Sequence, residues 1–242
     1  MRGATILSSI LVLAACNMTG AHDEIQPSGK MGKKQYQVGG FDKVALAGPH
    51  NVVVTVGGAP SVRAEGDTGL LDRLDIRVEG GELKIDTHHK GWFSWHKVSG
   101  PPVTVYVTVP TLAGASIGGS GDMRIDKVEG ERFSAAIGGS GDMAIGPMKV
   151  TAADFAVAGS GGITASGTAD QSKFSIAGSG DVDAGGLRNR SATVSIAGSG
   201  KVNTQATESA EVSVMGSGDV TISGPAKCKI NKMGSGDVRC GG

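Results

Sequence analysis

Gly-Ser-Gly occurs seven times in the second half of the chain, beginning at Gly119, Gly139, Gly159, Gly178, Gly198, Gly216 and Gly234. The spacings are 20, 20, 19, 20, 18 and 18 residues, and a period near 20 marks a stack of structural repeats. The flanks say what is stacked. Apolar residues stand four and two positions before most copies, as in Phe155 and Val157, Phe174 and Ile176, or Val194 and Ile196. Others stand four and six positions after most starts, as in Met143 and Ile145 or Val220 and Ile222. Alternation at period two describes short strands with one buried face. Each repeat therefore reads as strand, Gly-Ser-Gly corner, strand, loop. No single copy can bury its apolar face, but copies stacked about 4.8 Å apart share one core. The expected fold is all-β: a β-solenoid of about seven rungs, on the order of 35 Å long.

Composition agrees. Gly supplies 41 of 242 residues, which excludes a helix bundle, and it lacks the three-residue period of collagen. Acidic and basic residues balance at 23 each, without the basic excess of a nucleic-acid binder, so no nucleic-acid partner is expected. At the corner, Gly is required where the turn demands a positive φ.

The residue after each Gly-Ser-Gly is Asp122, Asp142, Gly162, Asp181, Lys201, Asp219 or Asp237. In register these form an acidic column, in which Gly162 and Lys201 relieve the repulsion between neighbouring carboxylates. The simplest role is capping of the turn. Calcium rolls use Gly-Gly-x-Gly-x-Asp at a period of nine, a different spacing. A polysaccharide-acting enzyme using Asp181, Lys201 and Asp219 is an alternative, but a repeated corner argues for structure. Seven equivalent serines are not seven nucleophiles, and no His lies beyond His96 to serve as their base. No catalytic residues, cofactor or metal are expected.

The N-terminus reads as an address. Arg2, the apolar run Ile6 to Ala15, and Leu13-Ala14-Ala15-Cys16 resemble a bacterial lipoprotein signal. Residues 1–15 are then the signal peptide and Cys16 the acylated residue. Residues 16–34 would be a flexible tether. Asn17 directs the protein to the outer membrane of a Gram-negative bacterium if sorting follows the enterobacterial pattern.

The remainder, 35–242, is expected to be a single domain, irregular over 35–112 and regular over 113–242. The alternating runs of 35–112 predict wider rungs leading into the solenoid, with one helical turn near Gly69 to Leu74. One segment breaks the alternation: His88, His89, Trp92, Phe93, Trp95 and His96 crowd into one loop of an aromatic-poor chain. A hairpin extension is expected there. Exposed aromatics stack on sugars, peptides or partner surfaces, so this is the candidate binding loop; the alternative is rings packed on the solenoid. Adjacent His on a strand face opposite ways, which argues against a metal site. Cys228 and Cys240 lie six residues either side of Gly234, at inward positions, and an exported compartment permits a disulfide between them. Lys232, also inward by register, suggests a half-exposed final rung.

Four features together resemble the auto-transporter adhesin, head GIN domain family. They are Phe41-x-x-Val44-x-Leu46-x-Gly48, Leu83-x-Ile85, the Val103–Val109 strand followed by Pro110-x-Leu112, and the Gly-Ser-Gly-Asp corners. The resemblance spans about 35–242. It implies a solenoid-like fold in envelope proteins and lipoproteins, and brings no established activity or functional residues. The expected function is a non-enzymatic, lipid-anchored envelope module, adhesin-like or scaffolding. Its partners would be the membrane through its anchor and a glycan or protein. A solenoid that self-assembles into homo-oligomers is the third possibility.

Overall fold

The computed structural model describes residues 27–88 and 100–241. Among them, β1 (Met31–Tyr36), β2 (Lys43–Ala47), β3 (Asn51–Val56), β4 (Ser61–Asp67), α1 (Thr68–Leu71), β5 (Leu74–Glu79), β6 (Glu82–Thr87) and β7 (Thr104–Val109) come first. The repeats supply β8 (Gly114–Gly118), β9 (Met123–Ile125), β10 (Val128–Gly139), β11 (Met143–Gly159) and β12 (Gly162–Gly178). They continue with β13 (Asp181–Gly198), β14 (Lys201–Gly216), β15 (Asp219–Ser223), β16 (Lys227–Gly234) and β17 (Val238–Cys240).

The repeats form the β-solenoid that the period demands. Strands β10 to β14 pair in parallel with their neighbours, corner on corner: Gly139 opposes Gly159, Gly159 opposes Gly178, and Gly178 opposes Gly198. Seven corners bound about six full turns. The loop expected in each repeat is instead a third run of strand, so β11 to β14 are continuous over 16 to 18 residues. Met148, Val150, Ala169, Leu187 and Ala206 point inward from this third side. Inside, Phe133, Phe155 and Phe174 are fully buried, and the Phe155 and Phe174 rings stack with centroids 5.1 Å apart. Burying each such side chain is worth about 1.5–3 kcal/mol.

Residues 35–112 do not lead into the stack in chain order. β2 and β3 pair in parallel with β8 and β9, forming the turn below the first Gly-Ser-Gly. β6 and β7 pair in parallel with β2 and β3 on their outer side, one turn further out. That end is then closed by antiparallel strands: β5 on β6, β4 on β7, and β1 on β4. The reversal converts a repeating parallel edge into a finished end. The helical turn expected near 69–74 appears as α1, linking β4 to β5.

Part of the segment expected to be a tether is ordered strand. Residues 31–34 belong to β1, and Asp67 fixes the segment before it. Its carboxylate accepts from the N–H groups of Ser28 (2.8 Å) and Gly29 (2.7 Å), from the Ser28 hydroxyl (2.9 Å), and from Gly69 N–H at the start of α1 (2.8 Å). Burial pushes this carboxyl up, but the Ser28, Gly29 and Gly69 bonds outweigh it and leave it below its ordinary value. β1 is polar because one side of it faces solvent at the sheet edge. Polar composition therefore concealed a strand.

Candidate functional site

The corner column is a hydrogen-bonded ladder. Ser140 N–H donates to the Gly119 carbonyl (2.9 Å), Ser160 to Gly139 (2.9 Å), Ser179 to Gly159 (2.9 Å), and so on to Ser235 and Gly216 (3.0 Å). Both glycines of each motif sit tight against the turn below: a Cβ on Gly139 would collide with the Gly119 carbonyl and one on Gly141 with the Gly121 carbonyl, and Gly139 also has φ +157°.

The acidic column is engaged in the same ladder. Asp122 accepts from Asp142 N–H (3.0 Å), Asp142 from Gly162 (2.8 Å), Asp181 from Lys201 (2.8 Å) and Asp219 from Asp237 (2.9 Å). Where the column lacks a carboxylate, the next N–H turns to a corner carbonyl: Asp181 donates to Gly161 (3.2 Å) and Asp219 to Gly200 (3.1 Å). These carboxylates tie turn to turn. Among the described residues no cluster of three or more His, Cys, Asp and Glu is placed to hold a metal ion.

The corner column runs past the first Gly-Ser-Gly. Ala47 opposes Gly118 and Val52 opposes Met123, so Gly48-Pro49-His50 stands where Gly119-Ser120-Gly121 stands one turn up. One turn further out, Leu83 and Ile85 align with Val44 and Leu46, and Val105 and Val107 with Val52 and Val54. The chain thus leaves the corner position at Thr87 and returns at Thr104. The aromatic and histidine segment is an insertion into a corner of the solenoid. β6 and β7 flank that corner as two sides of one turn and each pairs with the turn above. His88 is exposed, with Nε2 4.0 Å from an Asp75 carboxylate oxygen. His89, Trp92, Phe93, Trp95 and His96 lie outside the described residues, as does Cys16.

Two buried polar residues were not legible from the repeat. His50 is 1 % exposed at the foot of this insertion; its Nε2 lies 2.9 Å from the Thr87 hydroxyl and its Nδ1 has no hydrogen-bond partner. Burial lowers the His50 pKa, and Asp86 opposes that shift. Asn189 is equally buried on the third side. Its amide donates to Leu187 O (3.3 Å), Thr204 Oγ1 (2.9 Å) and Gln205 O (2.9 Å), and its Oδ1 accepts from Ser172 (2.5 Å). The spacing Val44, Leu46, Gly48, Val52, Val54 repeats that of the later corners and was the available signal for the corner at His50. Asn189 had none.

At the far end, Cys228 and Cys240 face each other with Cα atoms 6.5 Å apart, a separation that a disulfide spans. Both pack partly buried against the core. Lys232 is exposed, and its Nζ donates to Gly236 O (2.8 Å).

The family model "Putative auto-transporter adhesin, head GIN domain" matches residues 40–226. The chain belongs to this family. A crystal structure of a putative adhesin from Bacteroides fragilis superimposes with a TM-score of 0.83 at 25 % identity, covering 89 % of this chain and 99 % of that one. A structure named a putative lipid binding protein, from Parabacteroides distasonis, gives 0.74 at 24 % identity over 88 % of this chain and 97 % of that one. A putative adhesin from Parabacteroides merdae gives 0.69 at 18 % identity, over 90 % and 98 %. No curated protein matches the chain. At these identities the second and third likenesses concern the fold. The family assignment covers both the corner repeats and the interleaved N-terminal turns.

Proposed function

We propose that this protein is a non-enzymatic binding module of the bacterial cell envelope, lipid-anchored through Cys16. Its solenoid would stand off the outer membrane and present its sides and the corner insertion to a surface partner. The observation that carries the non-enzymatic reading is the state of the acidic column. Asp181 and Asp219, the carboxylates a glycan-cleaving site would use, each accept a backbone N–H from the turn above. A general acid or base needs a carboxyl free to exchange its proton with substrate. Membership of an adhesin-named family supports a binding role. The insertion adds the apolar and ring-nitrogen contacts that a surface of Gly, Ala and Ser lacks. The last described turn carries Lys227, Lys229, Lys232 and Arg239, charges that work against edge-to-edge stacking of copies and favour the binding module over the self-assembling scaffold.

The test is protease shaving of cells expressing the protein with a cleavable tag between His88 and Lys97, alongside metabolic palmitate labelling. The expected result is labelling of wild type, none of Cys16→Ser, and cleavage of the tag on intact cells. Cleavage only after permeabilisation would overturn the surface-adhesion reading and turn the search to periplasmic partners. Palmitate on the Cys16→Ser variant would overturn the anchor.

A further inference from the structure

The solenoid is regular on two sides and irregular on the third. Among β11 to β14, the shifts in strand register fall between Ile145 and Pro147, Thr164 and Ser166, Ala184 and Arg188, and Asn189 and Ser191. All four border or lie on the third side. Turn length also steps down there, from 20 residues before Gly198 to 18 after it. A groove of about 570 Å³ lies on the outer surface of this side, within the size range of small-ligand sites. At its floor the buried Asn189 side chain ties Leu187, Thr204 and Gln205 together, and the Asn189 backbone carbonyl accepts from the Thr207 hydroxyl (3.2 Å).

The walls are two outward columns. One is Glu129, Lys149, Thr168 and Arg188, opposed residue by residue on successive turns. The other includes Thr151, Asp170, Arg190 and Thr207. Most of the charge is already matched. Glu129 lies 3.8 Å from Lys127, and Arg190 donates to Glu208 (2.9 Å) with Asp170 beside it. Among the described residues Lys149 and Arg188 make no ion pair. They stand in one column two turns apart, roughly 9.6 Å, with the Thr168 hydroxyl between them.

Building on the binding-module reading, we propose that this groove holds an anionic glycan, with Lys149 and Arg188 each taking an acidic group of the chain and the threonines taking its hydroxyls. A guanidinium suits the planar carboxylate of a uronic acid by paired hydrogen bonds, and an ammonium acts as a point charge beside it. Two cations spaced along one column read an extended polyanion rather than a single small anion. The unmatched cations sit where the repeat departs from its own geometry, as expected where function rather than stacking shapes the chain.

The test uses the whole protein and three defined probes: polygalacturonate oligosaccharides, heparin fragments and neutral dextran. Binding is measured by calorimetry for wild type, Lys149→Ala, Arg188→Ala and the double variant, with a single-stranded oligonucleotide as a polyanion control. Both residues are exposed, so the variants should fold, and far-UV circular dichroism checks this. One or both acidic glycans should bind, dextran should not, each single variant should weaken binding about 5–10-fold, and added salt should weaken it further. Retention of the oligonucleotide as strong as that of the glycans would show a generic polyanion patch and overturn the proposal. So would acidic-glycan binding untouched by the double variant. A parallel array of envelope and host-surface ligands separates the two levels: wild-type binding that survives the double variant overturns the groove alone, whereas a wild type that binds nothing on the array overturns the binding-module reading as well.

Discussion

Gly139→Ala and Gly130→Ala make a matched pair that isolates what the corner glycines do. Gly130 has φ +156° and Gly139 φ +157°, so the two backbones ask the same of a new side chain. Their surroundings differ. A Cβ on Gly130 meets nothing within 4 Å, whereas one on Gly139 meets the carbonyl and amide of Gly119 in the turn below. The conformational part costs about 1–2 kcal/mol at either site. At Gly139 the backbone must also move off Gly119, whose carbonyl accepts from Ser140 (2.9 Å) and Gly141 (3.1 Å). Weakening two such bonds adds about 2 kcal/mol. Gly139→Ala should therefore cost about 3–4 kcal/mol, against about 1–2 for Gly130→Ala. In urea unfolding followed by far-UV circular dichroism, with a slope near 2 kcal/mol/M, the midpoints should differ by about 1 M. Equal midpoints would refute the argument that turn-to-turn contact, rather than φ, demands glycine at this position.

Two further outcomes follow from the ends of the stack. The loop between Cys228 and Cys240 is 12 residues in sequence separation, so a disulfide there should stabilise by about 3 kcal/mol. A reductant should lower the midpoint of wild type but not of Cys228→Ala, and quantitative alkylation of both thiols in unreduced protein would refute the bridge. His50, held below its ordinary pKa chiefly by burial, binds its proton more readily in the unfolded chain. Its contribution is thus complete above about pH 6.5 and is lost as pH falls below that value, by up to about 1.4 kcal/mol per pH unit. Stability measured from pH 7.5 to 5.5 should fall more steeply for wild type than for His50→Gln, and equal slopes would sink the assignment.

The parts of the fold that repeat were legible because repetition multiplies a weak signal. One Gly-Ser-Gly is a common turn, but seven with matched flanks specify strand register, inward residues and stacking direction. Even Asp122 and its successors could be read as structural before any hydrogen bond was seen. The N-terminal half resisted because chain order and spatial order part company there. The turn made by β2 and β3 lies between two turns that follow it in sequence, β6–β7 and β8–β9. Nothing local announces that interleaving. His50 replaces the glycine that would have advertised the corner, and β1 hides its strand character in Lys and Gln because it lies at an edge.

The third side shows the opposite limit. Its inward residues fall in two columns of mixed size and polarity, Met148, Gly167 and Leu187 in one and Val150, Ala169, Asn189 and Ala206 in the other. On the other two sides the corner carbonyls accept from the next turn at a fixed spacing, so insertion or loss of one residue would break the ladder. On the third side, turns of 18, 19 and 20 residues are all accommodated, because bulges take up the difference and Asn189 satisfies the backbone groups they expose. Sequence is thus free to vary where the stack tolerates slack. In this chain the regular sides fix the stack by backbone geometry, and the irregular side is where groups foreign to the repeat are admitted, Asn189 inside and the Lys149–Thr168–Arg188 column outside.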